Sequence, residues 1–248
     1  MKKFLFLIAI FAFTISYSQV PEYTTKKVNR TEKNKAGSEL ALAYSFPVFN
    51  ENGPNPNLAK TLNKKVEEIL GIENQTIEEA VDEAIGSFVG LSEEDEIAGD
   101  WYQNITISVE VVKNHILSLE TNQDEFLGGA HPNAVAIFDN YLISTGERLN
   151  IEDLFSGEQF LKVNSAGEEI FRKNYDLVGK DLSYEGFDFE DGNFVLTDNF
   201  KVTEKGLYFF YNTYSIAPYS AGTFEVEIPY TKIQTSISKK SPLAILVQ

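Results

Sequence analysis

Apolar residues recur at two different periods along this chain, and the switches between them mark out its elements. From Glu39–Phe49 they alternate, with Leu40, Leu42, Tyr44 and Phe46 on one parity, which predicts a strand. Pro47 places the end of that strand near a sheet edge. Residues 20–38 before it are polar and carry Lys26, Lys27, Arg30, Lys33 and Lys35, reading as a frayed leader or a first edge strand. Asn52, Gly53, Pro54, Asn55 and Pro56 make a loop. The period then becomes helical. Leu58, Leu62, Val66, Ile69 and Leu70 form one stripe stopped by Gly71, and a capping box of Thr76 and Glu79 opens a second with Ile77, Val81, Ala84, Ile85 and Phe88.

Alternation returns at Ile105, Ile107, Val109 and Val111, with Thr106, Ser108 and Glu110 on the opposite face. Lys113 and Asn114 are a two-residue turn into a strand over 115–121, although the usual glycine is missing. Residues 134–144 are apolar on both parities, which predicts a central strand covered on both sides. Thr145 and Gly146 turn the chain, and Asn150 with Asp153 caps a short helical piece ending at Phe155. A longer helix over 158–175 packs through Phe160, Val163, Ile170 and Phe171, with Gly167 weakening its middle. Residues 181–191 read as an acidic, aromatic loop. Strands follow at 194–196, 200–203, 207–211 and 224–228. Strands and helices thus come in blocks, which defines an α+β class with mainly antiparallel sheets and packed helices, in two small subdomains in tandem at 19–126 and 127–248.

The first 18 residues stand apart from this pattern. Lys2 and Lys3 precede an apolar core over 4–15, and Ser16 and Ser18 supply the small residues of a cleavage site before Gln19. A membrane anchor is the alternative, disfavoured by the shortness of the apolar run. The expectation is an exported protein, periplasmic or extracellular, with no stable membrane insertion after cleavage. The chain has no cysteine, so its stability rests on a packed core, for which about 230 residues suffice. Nineteen Phe and 12 Tyr are enough aromatic residues to build one. The formal charge is −16, and removing Lys2 and Lys3 takes it to −18. That balance disfavours nucleic acid and anionic lipid and suits a cationic protein partner, although acidity also simply keeps an exported chain soluble.

Two histidines, His115 and His131, limit the chemistry. No metallohydrolase motif and no cysteine ligand occurs, and His115 shares a strand with Leu117 and Leu119 as a structural residue would. His131 lies in a turn with Gly128, Gly129, Ala130, Pro132 and Asn133, but no nucleophile elbow accompanies it. The acidic runs at 93–96 and 188–191 raise calcium binding or glycoside hydrolysis. Phe187 stands where the first ligand of a calcium-binding EF-hand loop would be, and solvated loops are the simpler reading. Neither a metal nor a cofactor is expected. A second loop, with Tyr214, Pro218, Tyr219 and Gly222, concentrates tyrosine as binding surfaces do, although a well-packed sheet edge would look the same.

The order of these motifs carries a resemblance. The turn at 128–133, Phe138, Thr145 with Gly146 and Glu147, residues 153–155, the aromatic strand at 207–210 and the loop at 214–222 resemble the ectodomain family of RsiV-type anti-sigma factors. The preceding strand, two helices and hairpin resemble the small domain of PdaC-type peptidoglycan deacetylases. Together the resemblances cover roughly residues 23 to 237. The first implies binding of lysozyme, a cationic muramidase. Anti-sigma activity is not expected without a membrane-spanning and sigma-binding segment, nor deacetylation with two histidines. The expected function is therefore a non-enzymatic cell-envelope binding module, its ligand a cationic wall-lytic protein such as lysozyme or a peptidoglycan-derived glycan. The candidate binding residues are Gly128, Gly129, His131, Asn133, Tyr214, Pro218, Tyr219 and Gly222. The alternative is a hydrolase or other enzyme acting on envelope polysaccharide through carboxylates and His131.

Overall fold

A computed structural model describes residues 19–91 and 99–247. The leader over 1–18 and the acidic run at 93–96 lie outside the described residues. Strands β1 (Tyr23–Lys33) and β2 (Glu39–Phe49) form an antiparallel pair over their whole length, so the polar N-terminal stretch is an edge strand. Its Lys26 and Arg30 reach Glu78 and Asp82 of the second helix. Helices α1 (Pro56–Leu70) and α2 (Ile77–Gly90) then carry the chain across to β3 (Trp101–Val112), which lies parallel to β2. Local sequence dictates both helices. The Asn55 side chain accepts from the Leu58 amide and Pro56 opens the first turn, while Gly71 closes α1 in a left-handed conformation. Thr76 and Glu79 form the complete capping box of α2. The two apolar stripes meet the even-numbered side chains of β2 in one core.

Lys113 and Asn114 both take positive φ, 47° and 52°, the backbone of a tight hairpin turn without glycine. They lead into β4 (Ile116–Phe126), antiparallel to β3, and β5 (Asn133–Leu142) pairs with β4 in turn. A two-residue β6 (Arg148–Leu149) ends the six-stranded sheet, whose order follows the chain. The division expected near residue 127 falls in the β4–β5 connection, so one sheet runs across it. Short α3 (Ile151–Leu154) and long α4 (Glu158–Asn174) follow. A second sheet holds β7 (Phe200–Val202), β8 (Gly206–Tyr211) and β9 (Phe224–Pro229), all antiparallel; α5 (Tyr230–Ile233) follows, and a C-terminal 3-10 turn, Pro242–Leu246, buries Leu243 and Leu246 in the second core. The α+β class with mainly antiparallel sheets is therefore realised as two units around two hydrophobic cores that both draw on the six-stranded sheet, Tyr141 joining the first core and Val112 and Ile116 the second.

The end of β2 is a sheet edge, as Pro47 predicts: the β3 pairing ends at Ser45, so the missing N–H of Pro47 breaks no ladder on that side. Three local expectations need correction. Residues 194–196 form no strand, because side chains take their backbone hydrogen bonds. Asn164 of α4 accepts from the Leu196 amide and donates to the Phe194 carbonyl, and the Tyr211 hydroxyl donates to Val195. Gly167 is a packing residue rather than a weak point, since a Cβ there would stand 2.8 Å from Leu196 Cδ2. Finally, β5 is not covered on both faces along its length. Only Phe138, Asp139, Asn140 and Tyr141 are buried within it, while Ala134 and Ile137 are exposed.

The side of β5 away from β4 is instead finished by side-chain amides from the second unit. Asn199 accepts from the Phe138 amide at 3.0 Å and donates to the carbonyls of Ala136 and Phe210 at 2.8 and 3.0 Å. Asn212 accepts from the Ala136 amide at 2.8 Å and donates to the Ala136 carbonyl at 2.9 Å. In the reverse direction, the buried Asn140 accepts from the Val202 amide and donates to the Phe200 carbonyl, capping the edge of β7. A β-edge left open is a template for pairing with other chains. Here three asparagines close two edges and tie the sheets together.

Candidate functional site

Both loops singled out in the sequence meet. His131 and Tyr219 stack with ring centroids 3.8 Å apart at 19°, and Tyr214 lies against both. The His131 Nδ1 is 3.0 Å from the Pro132 carbonyl, which can only accept, so a neutral ring carries its hydrogen there and takes the Tyr214 hydroxyl at Nε2, 3.2 Å away. Tyr219 donates to the same Pro132 carbonyl at 3.0 Å. Pro218 begins, and Gly222 ends, the short 3-10 turn Tyr219–Ala221 that presents the Tyr219 ring. Tyr214 holds a left-handed backbone at φ 67° and is 62% exposed. An aromatic residue in that conformation is strained, and such strain concentrates at functional sites.

Glycine supplies the other loop. Gly128 and Gly129 both have positive φ, and a Cβ on Gly128 would stand 3.2 Å from the Trp101 ring. The turn therefore lies flat on Trp101 before Asn133 starts β5. All eight candidate residues belong to this one exposed ridge or to the backbone that shapes it. His115 is elsewhere, its Nε2 3.1 Å from the Pro242 carbonyl, where it ties the hairpin turn to the C-terminal segment. Phe187 and Phe189 of the acidic loop pack on Phe171, which makes that loop an anchored one. Among the described residues no group of three or more His, Asp or Glu side chains is placed to hold a metal ion.

Sequence reasoning missed a second feature, the cleft between the two sheets. Its root is Ala136, with Asn122 and Phe210 beside it, and these three residues line two adjoining hollows of about 330 and 290 Å³. One wall is the solvent side of β3 and β4, including Asn104, Thr106 and Asp124; the other is β8 and the start of β9. At this end of the cleft Tyr102 donates to Asp124, one of its lining residues, at 3.2 Å. Desolvation, reinforced by Asp124, raises the Tyr102 phenol above its ordinary value.

At the far end Lys201 bridges the sheets. Its ammonium is 2.8 Å from Glu120 and 3.1 Å from Glu110, and lies 5.5 Å from the centre of the Phe138 ring. Burial alone would raise the Glu120 carboxyl, but the hydrogen bonds from Lys201 and Asn122 outweigh it and hold the group below its ordinary value. Burial would lower the ammonium, and the two glutamates instead raise it. Tyr208 beside them is pushed well up, by burial first and then by its 2.7 Å hydrogen bond to Glu225. A sequence signal for this face existed in the polar parity of Thr106, Ser108 and Glu110, but nothing in it named the opposite wall.

Fold and site together define a two-unit α+β protein with a ridge and cleft at the junction of its sheets. Comparison with known families places both units. Residues 32–134 match the family model described as Deacetylase PdaC, and residues 152–231 match the one described as Protein of unknown function (DUF3298), so the chain carries a PdaC-like domain followed by a DUF3298 domain. A crystal structure of a DUF3298 family member from Bacteroides fragilis is similar with a TM-score of 0.78 at 21% identity, covering 93% of this chain and 98% of that one. Another DUF3298 family protein, from Pseudomonas aeruginosa, gives 0.60 at 19% identity, covering 91% and 98%. At these identities the likeness is one of fold. No curated protein matches the chain.

Proposed function

We propose that this protein is an exported, non-enzymatic binding module of the cell envelope, acting in the periplasm or outside the cell, with the His131–Tyr219–Tyr214 ridge as its contact surface. One observation carries the reading: loops more than 80 residues apart in sequence are held together as an exposed aromatic stack. Tyr214 is exposed and Tyr219 half-buried, and tyrosine rings held in a rigid frame give large contact area at little entropic cost. The likeness to RsiV-type ectodomains and the net charge of −16 support a cationic wall-lytic protein such as lysozyme as partner. The flat face of the His131–Tyr219 stack also favours a second reading, a peptidoglycan-derived glycan.

The test is binding and inhibition of lysozyme by the mature protein at low and moderate salt. Absence of binding at both would sink the lysozyme version, and release of altered glycan fragments would support a hydrolase instead. His131→Ala combined with Tyr219→Ala should weaken binding with the melting temperature nearly unchanged. A large drop in melting temperature would make the stack structural.

A further inference from the structure

We infer that the cleft between the sheets is a separate binding site, for a neutral oligosaccharide rich in hydroxyl and amide groups. The inference rests on the envelope reading only for the source of such a glycan. The site itself is argued from three observations.

The first is that the cleft offers an extended peptide no open strand edge to pair with. Ala136 and Phe138 would present the free edge of β5, but Asn199 and Asn212 already occupy it. Strand addition needs an open edge, so recognition here must run through side chains. The second is what those side chains are. Asn104, Thr106 and Thr223 line the cleft, are exposed, and make no side-chain hydrogen bond among the described residues. They offer both donors and acceptors. Against them stand the small Ala134 and Ala136 and the half-buried ring of Phe210, with Tyr208 beside it at 6.3 Å and 23°. A sugar ring has this same division, an apolar face and a hydrogen-bonding rim. The hollows, at about 330 and 290 Å³, are at the lower end of the usual range for small-ligand sites, and they adjoin at Asn122, Ala136 and Phe210.

The third observation is charge. Glu110, Glu120 and Asp124 stand on one wall and Glu225 and Glu227 on the other, with Lys201 between them already held by Glu110 and Glu120. A phosphate, sulfate or uronate would enter against that field. Asp124 and Glu225 are in turn engaged by Tyr102 and Tyr208, so the field excludes anions without presenting a dedicated ammonium pocket.

The experiment uses the mature protein and three probes: the neutral pentamer of N-acetylglucosamine, the cationic pentamer of glucosamine, and an anionic galacturonate pentamer. Calorimetry measures affinity and amide resonances locate the contact. The neutral pentamer is expected to bind and to shift resonances of 104–106, 122–124 and 223. Thr106→Val and Asn104→Ala, both at exposed positions whose side chains bond to none of the described residues, should each weaken it about threefold to tenfold, and Phe210→Ala about tenfold or more. The anionic pentamer should not bind. The proposal is overturned if the neutral pentamer fails to bind, if the glucosamine pentamer binds more tightly, or if the three cleft variants bind as the wild type does. It is also overturned if lysozyme binding, rather than glycan binding, responds to the cleft variants. Lysozyme binding lost only on His131→Ala with Tyr219→Ala tests the ridge independently, so either site can fail while the other stands.

Discussion

Asn199 and Asn212 join the two sheets, and their loss should cost more together than the sum of the parts. Replacing Asn199 by Ala removes three hydrogen bonds and leaves the Phe138 amide without a partner. At about 1 kcal/mol per bond, reduced because the site is only part-buried, the cost is about 2–3 kcal/mol. Asn212→Ala removes two bonds and orphans the Ala136 amide, for about 1–2 kcal/mol. The Ala136 carbonyl accepts from both side chains, so each single variant still satisfies it and only the double variant strips it. The double variant should therefore exceed the sum by about 1 kcal/mol, the cost of a half-buried carbonyl with no donor. Urea unfolding followed by far-UV circular dichroism and by fluorescence of Trp101, the single tryptophan, measures this cycle. Coincidence of the two probes establishes that one free energy describes the transition. Additivity within about 0.5 kcal/mol would show that water replaces the amides and that the sheets are held by packing alone.

Gly128→Ala should destabilise by about 1–2 kcal/mol, since it forces an L side chain into φ +90° against the Trp101 ring, and the Trp101 emission should shift with it. The buried Asp139 receives a 2.7 Å bond from Arg148 and has Lys65 at 3.8 Å, so Arg148→Ala should cost about 1–3 kcal/mol in urea unfolding, and more than Asp139→Asn, which leaves no buried anion behind. Glu120 has its carboxyl lowered in the folded state, so its contribution is fully present above the ordinary carboxylate range, near pH 4.5, and is lost as pH falls through the lower folded value. Glu120→Gln should accordingly flatten the acid limb of the stability–pH curve between about pH 5 and 3, and an unchanged limb would remove the Lys201 bridge from the account.

Elements whose signal is local were legible in the sequence. The capping box at Thr76 and Glu79, the stop at Gly71, and the alternation of Ile105 and Ile107 each state a conformation within a few residues, and the structure realises each. The failures share a cause in long-range side-chain bonding. Residues 194–196 alternate as a strand does, but Asn164, some 30 residues earlier, takes the hydrogen bonds that would have made one. Gly167 looks like a helix fault until Leu196 is placed against it. Likewise the apolar run of β5 gave no sign that its outer edge ends on asparagine side chains 61 to 76 residues away.

The same distinction governs the site. Composition alone marked both loops, because a glycine pair beside a histidine and a cluster of tyrosines are unusual within a few positions. That they touch depends on the register of β4 with β5 and on the crossing of the second sheet over the first. The cleft was hidden more deeply. Asn104, Thr106 and Thr223 are ordinary solvent-side strand residues one at a time, and polar alternation on a half-buried strand is what any antiparallel sheet shows. They become a surface with two walls only when Asn199 and Asn212 hold β5 against the second unit. The stitch that stabilises the fold is thus also what creates the cleft. Loosening it with Asn199→Ala alone should weaken glycan binding even though Asn199 lines neither hollow, whereas Asn212 lines the 330 Å³ one.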